Sequence, residues 1–313
     1  MRGVILRLCL LAVGVLFFSV SSHAEVVPLF ESEAEPVRPE GWDEWVNRAA
    51  SFHVWQNDSV FRDHYVRTLP DGSGVTALCV PAAIGNALLR EYSRVEPRVS
   101  GLRIPGLIEN GSKVETTETL RGIGERCGIG GLKGIFEPWT TAQCIRDIFF
   151  ESGYSHSRVK LIRNYDSREE SPGIVYEERA PTLRDVVEAV REGYQVIASI
   201  AFLKRDSTRS KWTKVSGHSV NIVGYGRADS RQSQRITIYI QNPTRQYDVD
   251  HLNPVFDEVT LTEHPELHAE GLNYSNLKLE GPPESLISLP GLTPVLAGLI
   301  LLNADPASLQ GIK

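Results

Sequence analysis

Apolar positions recur at helical spacing in the first half of the chain and at strand spacing in the second. Trp42, Trp45, Val46, Ala49 and Phe52 fall on one face of a predicted helix over 42–55. Val80, Ile84, Ala87 and Leu88 repeat that pattern and predict a helix from Cys79 to about Tyr92. Pro81 suits its first turn, where the missing N–H is not needed. Residues 94–113 are punctuated by Gly and Pro and read as loop, and 115–127 reads as a further helix. Thr140 and Thr141 are the predicted cap of a helix over 142–152 that Gly153 ends. Thr182 and Asp185 make a capping-box start for a helix through Glu192. The period then becomes two. Residues 195–203, 218–225, 235–241 and 258–262 read as strands, with a polar, hairpin-like excursion at 204–214, and 294–302 reads as a closing core strand.

Helices first and an antiparallel sheet afterwards predict an α+β fold, a helical lobe followed by an antiparallel β lobe. The 313 residues, 41% of them hydrophobic, suffice for one large domain or two small ones, with no internal repeat. A formal net charge of −6 leaves no basic footprint, so nucleic acid is not the expected partner.

The N-terminus predicts export. A basic start around Arg2 and Arg7, an apolar core over 8–20 and small residues at 22–24 have the form of a signal peptide over 1–24. The expected location is therefore periplasmic or extracellular, with no stable membrane anchor after cleavage. An N-terminal extension over 25–55 follows, acidic and broken by prolines before its amphipathic helix, then the main domain over 56–262 and a C-terminal extension over 263–313 packed on it. Loss of Cys9 with the signal leaves Cys79, Cys127 and Cys144, an odd number in an oxidising compartment. Three single pairings are open. Cys127 with Cys144 is the easiest to close and is worth about 3 kcal/mol on the chain-entropy account. That pairing leaves Cys79 as a free thiol.

Cys79 stands at a predicted helix N-terminus, where unpaired N–H groups and the helix dipole favour a thiolate. A nucleophilic cysteine needs a base, and His218 opens an apolar strand directly after Gly217. The imidazole needs an orienting acceptor, and Asn242, before Pro243, ends the next strand. Together Cys79-Val-Pro-Ala-Ala, Gly-His218-Ser-Val-Asn-Ile-Val-Gly-Tyr and Ile-Gln-Asn242-Pro resemble the papain-like cysteine peptidases, and among them the bacteriocin-processing (double-glycine leader) peptidase-like group. The likeness covers about Tyr65 to Pro243.

The resemblance implies a papain-like cysteine proteinase fold and a Cys79–His218–Asn242 triad that cleaves peptide or amide bonds in a peptide or protein substrate, with no cofactor. There are two departures from the family pattern. Val80 replaces the usual glycine, and Gly74 and Ser73 stand where a glutamine would support the oxyanion. The oxyanion contacts are therefore expected from Cys79, Ser73 and Thr76. Two other outcomes fit the same motifs: a catalytically impaired relative that binds a peptide or protein, and an acyltransferase using the same triad. His264 and His268 lack the zinc-protease pattern and no metal is expected. Asp248, Asp250, His251 and Asp257 lack the calcium-loop pattern. Asn57, Asn110 and Asn273 fit the glycosylation rule and matter only in a eukaryotic source.

Overall fold

A computed structural model of the protein describes residues 66–68, 74–76, 79–95, 108–109, 112–113, 122–127, 138–152, 157–164, 172–206, 211–226, 234–244, 256–264, 267, 276–281 and 290–303. Two short antiparallel pairs come early: β1 (Val66–Thr68) with β2 (Gly74–Thr76), and β3 (Ile108–Glu109) with β4 (Ser112–Lys113). Three helices follow the amphipathic segments: α1 (Cys79–Val95), α2 (Pro138–Glu151) and α3 (Leu183–Arg191). Residues 122–126 are also helical. The main sheet contains β5 (Arg158–Ile162), β6 (Ile174–Glu177), β7 (Gln195–Arg205), β8 (Trp212–Tyr225), β9 (Arg235–Gln241), β10 (Asp257–Glu263), β11 (Leu277–Glu280) and β12 (Thr293–Asn303).

Strand order in that sheet is β11-β10-β9-β8-β7-β12-β5-β6, and β11 also pairs with β12 through Lys278 and Val295. That extra pairing closes β7 to β12 into a six-stranded antiparallel barrel, with β5 and β6 added outside the ring on β12. The expected papain-like arrangement, a helical lobe followed by an antiparallel β lobe, is therefore not the fold. The molecule is mostly β. Two of its sheet strands, β5 and β6, precede α3, and they pair in parallel rather than antiparallel. Each is only four or five residues long and alternates weakly between buried and exposed, so the period-two signal is faint there. The ring also needs β12 to pair with β7, a segment far away in sequence, which no local period encodes.

Alternation along the strands separates the two largest clusters of the core. Val196, Ala198, Ile200, Val220, Ile222, Ile236, Ile238, Ile240, Val259, Leu261, Leu277, Leu279 and Leu299 line the barrel interior. α3 lays Leu183, Val186, Val187 and Ala189 on that same cluster, so it belongs to the barrel and not to a separate helical lobe. The other cluster joins α1 and α2 to the outer face of β5, β7 and β12, through Ile84, Leu88, Ile145 and Phe149 against Val159, Leu161, Ile197, Ile300 and Leu302. β12 is buried along nearly its whole length because both of its faces are covered, which explains its unbroken apolar run.

A local signal accounts for the start of α3. Thr182 accepts from the Asp185 N–H while the Asp185 carboxylate takes the Thr182 N–H at 2.8 Å, and the Arg179 guanidinium grips Asp185 with two bonds of 2.6 Å. α2 begins at Pro138, four residues before the predicted start, so Thr140 and Thr141 lie inside its first turn. The disulfide favoured by spacing is present: Cys127 and Cys144 are bonded and buried, tying the 122–126 segment to α2. Among the described residues no helix is long and apolar enough to cross a membrane. The predicted 42–55 helix lies outside the described residues, as do residues 1–24.

Candidate active site

Cys79 is the first residue of α1, where the helical period that follows it begins. Val80 behind it is buried in the outer-face core, and so are Ala82, Ala83 and Ile84. The helix N-terminus is thereby held against the sheet. Asn221 of β8 strengthens that contact by donating its side-chain N–H to the Ala83 carbonyl at 2.9 Å.

The consequence is that the Cys79 thiol reaches β8. Backbone N–H groups of Ser219, Val80 and Cys79 itself approach the sulfur. Ser219 is the next residue after His218, so the helix start meets β8 one residue from the histidine. Cys79 is half-buried and is the free cysteine among the described residues.

His218 and Asn242 are brought together by strand register. Asn221 faces Gln241 and Ile222 faces Ile240 across the β8–β9 pair. Continuing that register places Asn242 opposite Val220, diagonal to His218 and on the same face. The Nε2 atom of His218 is 2.8 Å from Asn242 Oδ1. The same oxygen receives the Thr244 N–H at 3.1 Å and the Thr244 hydroxyl at 2.7 Å. A backbone N–H can only donate, so the atom it meets is the amide oxygen and not the amide nitrogen. His218 must therefore donate from Nε2, and Nδ1 is left with the lone pair. Asn242 is fully buried, which holds this arrangement rigid.

The electrostatics differ from the expectation at Cys79. Burial is the largest influence on the thiol and pushes its pKa above the ordinary 9.0, while the N–H groups of Ser219, Val80 and Cys79 pull it down without prevailing. Burial likewise pushes His218 below its ordinary 6.5, against the opposing hydrogen bond to Asn242. The thiolate that a helix N-terminus favours is thus not the resting form. Both groups rest neutral: Cys79 as a thiol, and His218 as an imidazole whose lone pair is on Nδ1.

The expected oxyanion residues fare differently. The Cys79 N–H is at the sulfur, Thr76 ends β2, and Ser73 lies outside the described residues. His264 caps the end of β10, where its N–H bonds to the Asn276 carbonyl, and His268 is outside the described residues. Asp257 opens β10 as a buried residue, while Asp248, Asp250, His251 and the three glycosylation asparagines are outside the described residues. Among the described residues no group of three metal-binding side chains converges.

Sequence reasoning missed Ser219, Asn221 and Thr244. Only Thr244 carried a signal: Asn-Pro-Thr has the spacing of an Asx turn, in which an asparagine oxygen accepts from the residue two positions on. Ser219 and Asn221 look like ordinary polar positions of an alternating strand. No protein-family model matches the sequence, and no curated protein matches it.

Proposed function

We propose that the protein is a cysteine-dependent hydrolase of peptide or amide bonds, with Cys79 as nucleophile, His218 as acid–base and Asn242 as the residue that orients the imidazole. The single observation that carries the reading is the 2.8 Å contact from His218 Nε2 to the thrice-bonded Asn242 oxygen, made one residue away from the strand N–H that meets the Cys79 sulfur.

The chemistry follows from the resting neutral pair. As the sulfur attacks a carbonyl carbon, the S–C bond forms, the carbonyl pair moves onto oxygen, and the thiol proton passes to His218 Nδ1. N–H groups at the start of α1 stabilise the developing oxyanion. On collapse the C–N bond breaks and the proton passes from His218 to the leaving nitrogen. Water then releases the acyl group from sulfur with His218 again as base. Export to an oxidising compartment fits this reading, because the Cys127–Cys144 bridge survives there while Cys79 stays unpaired.

The test is turnover of a mixed, quenched-fluorescent peptide library. The wild-type protein is expected to cleave it, Cys79→Ala to abolish cleavage, and His218→Ala to lower the rate by roughly 10²-fold or more. Cleavage that survives Cys79→Ala refutes the proposal. A wild-type protein that binds peptides without cleaving them refutes it too, in favour of a binding module. Transfer of the acyl group to an added amine in place of water would identify an acyltransferase.

A further inference from the structure

Closing the barrel removes the edges of the ring, but β6 lies outside it and keeps one. β6 ends the strand order of the main sheet and pairs with β5 in parallel. Among the described residues no strand lies on its other side. The Val159 N–H reaches the Gly173 carbonyl at 3.5 Å, and the Arg163 N–H reaches the Glu177 carbonyl at 3.1 Å. Alternation then turns the peptide groups of residues 174 and 176 away from β5, along the border of the sheet. The strand Ile174-Val-Tyr-Glu177 carries neither the lysine nor the proline that commonly protects such an edge, and Val175 is 55% exposed.

α2 covers one face of this strand. Trp139 meets the Tyr176 ring edge-on at 6.0 Å, and Arg146, further along the helix, bonds to the Pro172 carbonyl at 3.0 Å. α2 therefore runs antiparallel to β6, over the face that holds Ile174 and Tyr176. Val175 and Glu177 stand on the opposite face beside Lys160 of β5, whose ammonium lies 2.6 Å from the Glu177 carboxylate. Charge divides along the strand. Glu177 and Glu178 lie at its C-terminal end, and Arg158 of β5 flanks its N-terminal end, next to the Val159–Ile174 pair. Glu177 is already held by Lys160 and Arg179, which leaves Glu178 and Arg158 as the charges available to an outside partner. Both are exposed, and neither makes an ion pair among the described residues.

We infer that β6 pairs with β6 of a second copy of this chain, antiparallel about a two-fold axis at Val175, so that the main sheet continues through a reversible dimer. This register sets Ile174 opposite Tyr176 of the other copy, so the outward peptide groups of the two strands meet as one antiparallel ladder. The two Val175 side chains then form the close, non-hydrogen-bonded pair between them, with Cα atoms about 4.5 Å apart. Glu178 of each copy comes to residue 172 of the other, beside the end that Arg158 flanks. A parallel copy would instead oppose Glu177 and Glu178 to their own equivalents, with like charges facing. Opposite charges at the two ends of one short strand thus select the antiparallel two-fold pairing, which is closed and admits no third copy. A four-residue strand pair is a small interface, so the association belongs to the weak, concentration-dependent class. The dimer is independent of the hydrolase reading and leaves Cys79 out of the contact.

The experiment is sedimentation velocity on the full chain over about a 100-fold range of concentration, where the wild-type protein is expected to pass from monomer to dimer. Val175→Lys sets two ammonium groups against each other at the axis and is expected to hold the protein monomeric, with its circular dichroism unchanged. Arg158→Glu and Glu178→Arg should each weaken the dimer about 5-fold, and the two substitutions together should restore it. Val175→Cys, made in Cys79→Ala protein so that Cys79 does not compete, is the second measurement. Mild oxidation is expected to crosslink two copies through position 175, because the Cα spacing at the axis suits a disulfide. A protein that stays monomeric throughout, a dimer undiminished in Val175→Lys, or no crosslink at position 175 overturns the inference. Dimerisation equal in all the charge variants overturns the antiparallel register. A monomer whose Ile174 amide is protected from hydrogen exchange would assign the edge to a segment of the same chain, and overturns the dimer too.

Discussion

Asn242 Oδ1 takes the Nε2 proton of His218 at 2.8 Å while also taking the Thr244 N–H at 3.1 Å, so one amide oxygen decides which imidazole nitrogen is basic. The turn after β9 thereby controls chemistry on β8. A histidine without that partner would sample both tautomers and rotate about its side-chain bonds, and only one of those states presents a lone pair from Nδ1.

Replacing Asn242 separates orientation from charge. Asn242→Ala frees the ring and is expected to slow Cys79-dependent turnover roughly 10²-fold. Asn242→Asp keeps an acceptor and adds a negative charge, which favours the imidazolium. The acid limb of the kcat/KM profile should then move to higher pH by roughly one unit. An acid limb at the wild-type position in Asn242→Asp would show that this contact does not govern the histidine.

The two partly buried groups give stability a definite pH dependence. The folded-state pKa of His218 lies below its ordinary 6.5, so its contribution is fully present above 6.5 and is lost as pH falls from there. That of Cys79 lies above its ordinary 9.0, so its contribution is intact below 9.0 and is lost as pH rises past it. Thermal melts across this range should show wild type losing ground to Cys79→Ala only on the alkaline side. A difference between the two that does not vary with pH would contradict a thiol held neutral by burial.

Asn221 should couple the sheet to the nucleophile. Its side-chain N–H, bonded to the Ala83 carbonyl, links β8 to the first turns of α1, and the residue is buried. Asn221→Ala is expected to destabilise the fold by about 1–3 kcal/mol and to slow Cys79 alkylation, since the helix start loses its anchor. Denaturant unfolding and alkylation rates, measured on the same preparation, check both effects.

The Cys127–Cys144 bridge should matter for stability alone. Both cysteines are buried in the cluster that α1 and α2 form with the sheet. The paired Cys127→Ala and Cys144→Ala substitutions are expected to cost about 3 kcal/mol in urea unfolding while leaving the intrinsic reactivity of Cys79 unchanged. A peptide map under non-reducing conditions that joined Cys79 to either partner would overturn this assignment.

The features legible in the sequence are those whose physics is local. The helical period after Cys79, the Thr182–Asp185 cap and the alternating runs at 195–203, 218–225 and 235–241 each depend on residues a few positions apart. Strands β5, β6 and β11 escape such reading because a run of four or five residues is too short for its period to separate strand from loop. At the site, the residue types of Cys79, His218 and Asn242 are legible. The Ser219 N–H is not, since every residue of a strand has one and only docking of α1 singles it out.

By itself, then, the sequence determined the longer helices and strands, which cysteines are close enough to bridge, and which side chains have the chemistry for a nucleophile, a base and an orienting amide. Tertiary structure alone decided that the strands close into a barrel, that α3 packs on the barrel core, and that Cys79 rests as a thiol. The physical reason is common to all three. Strand pairing across the ring and the desolvation of a buried sulfur are set by contacts between residues distant in the chain, and those contacts outweigh the local preferences of the helix N-terminus and of the α-then-β order.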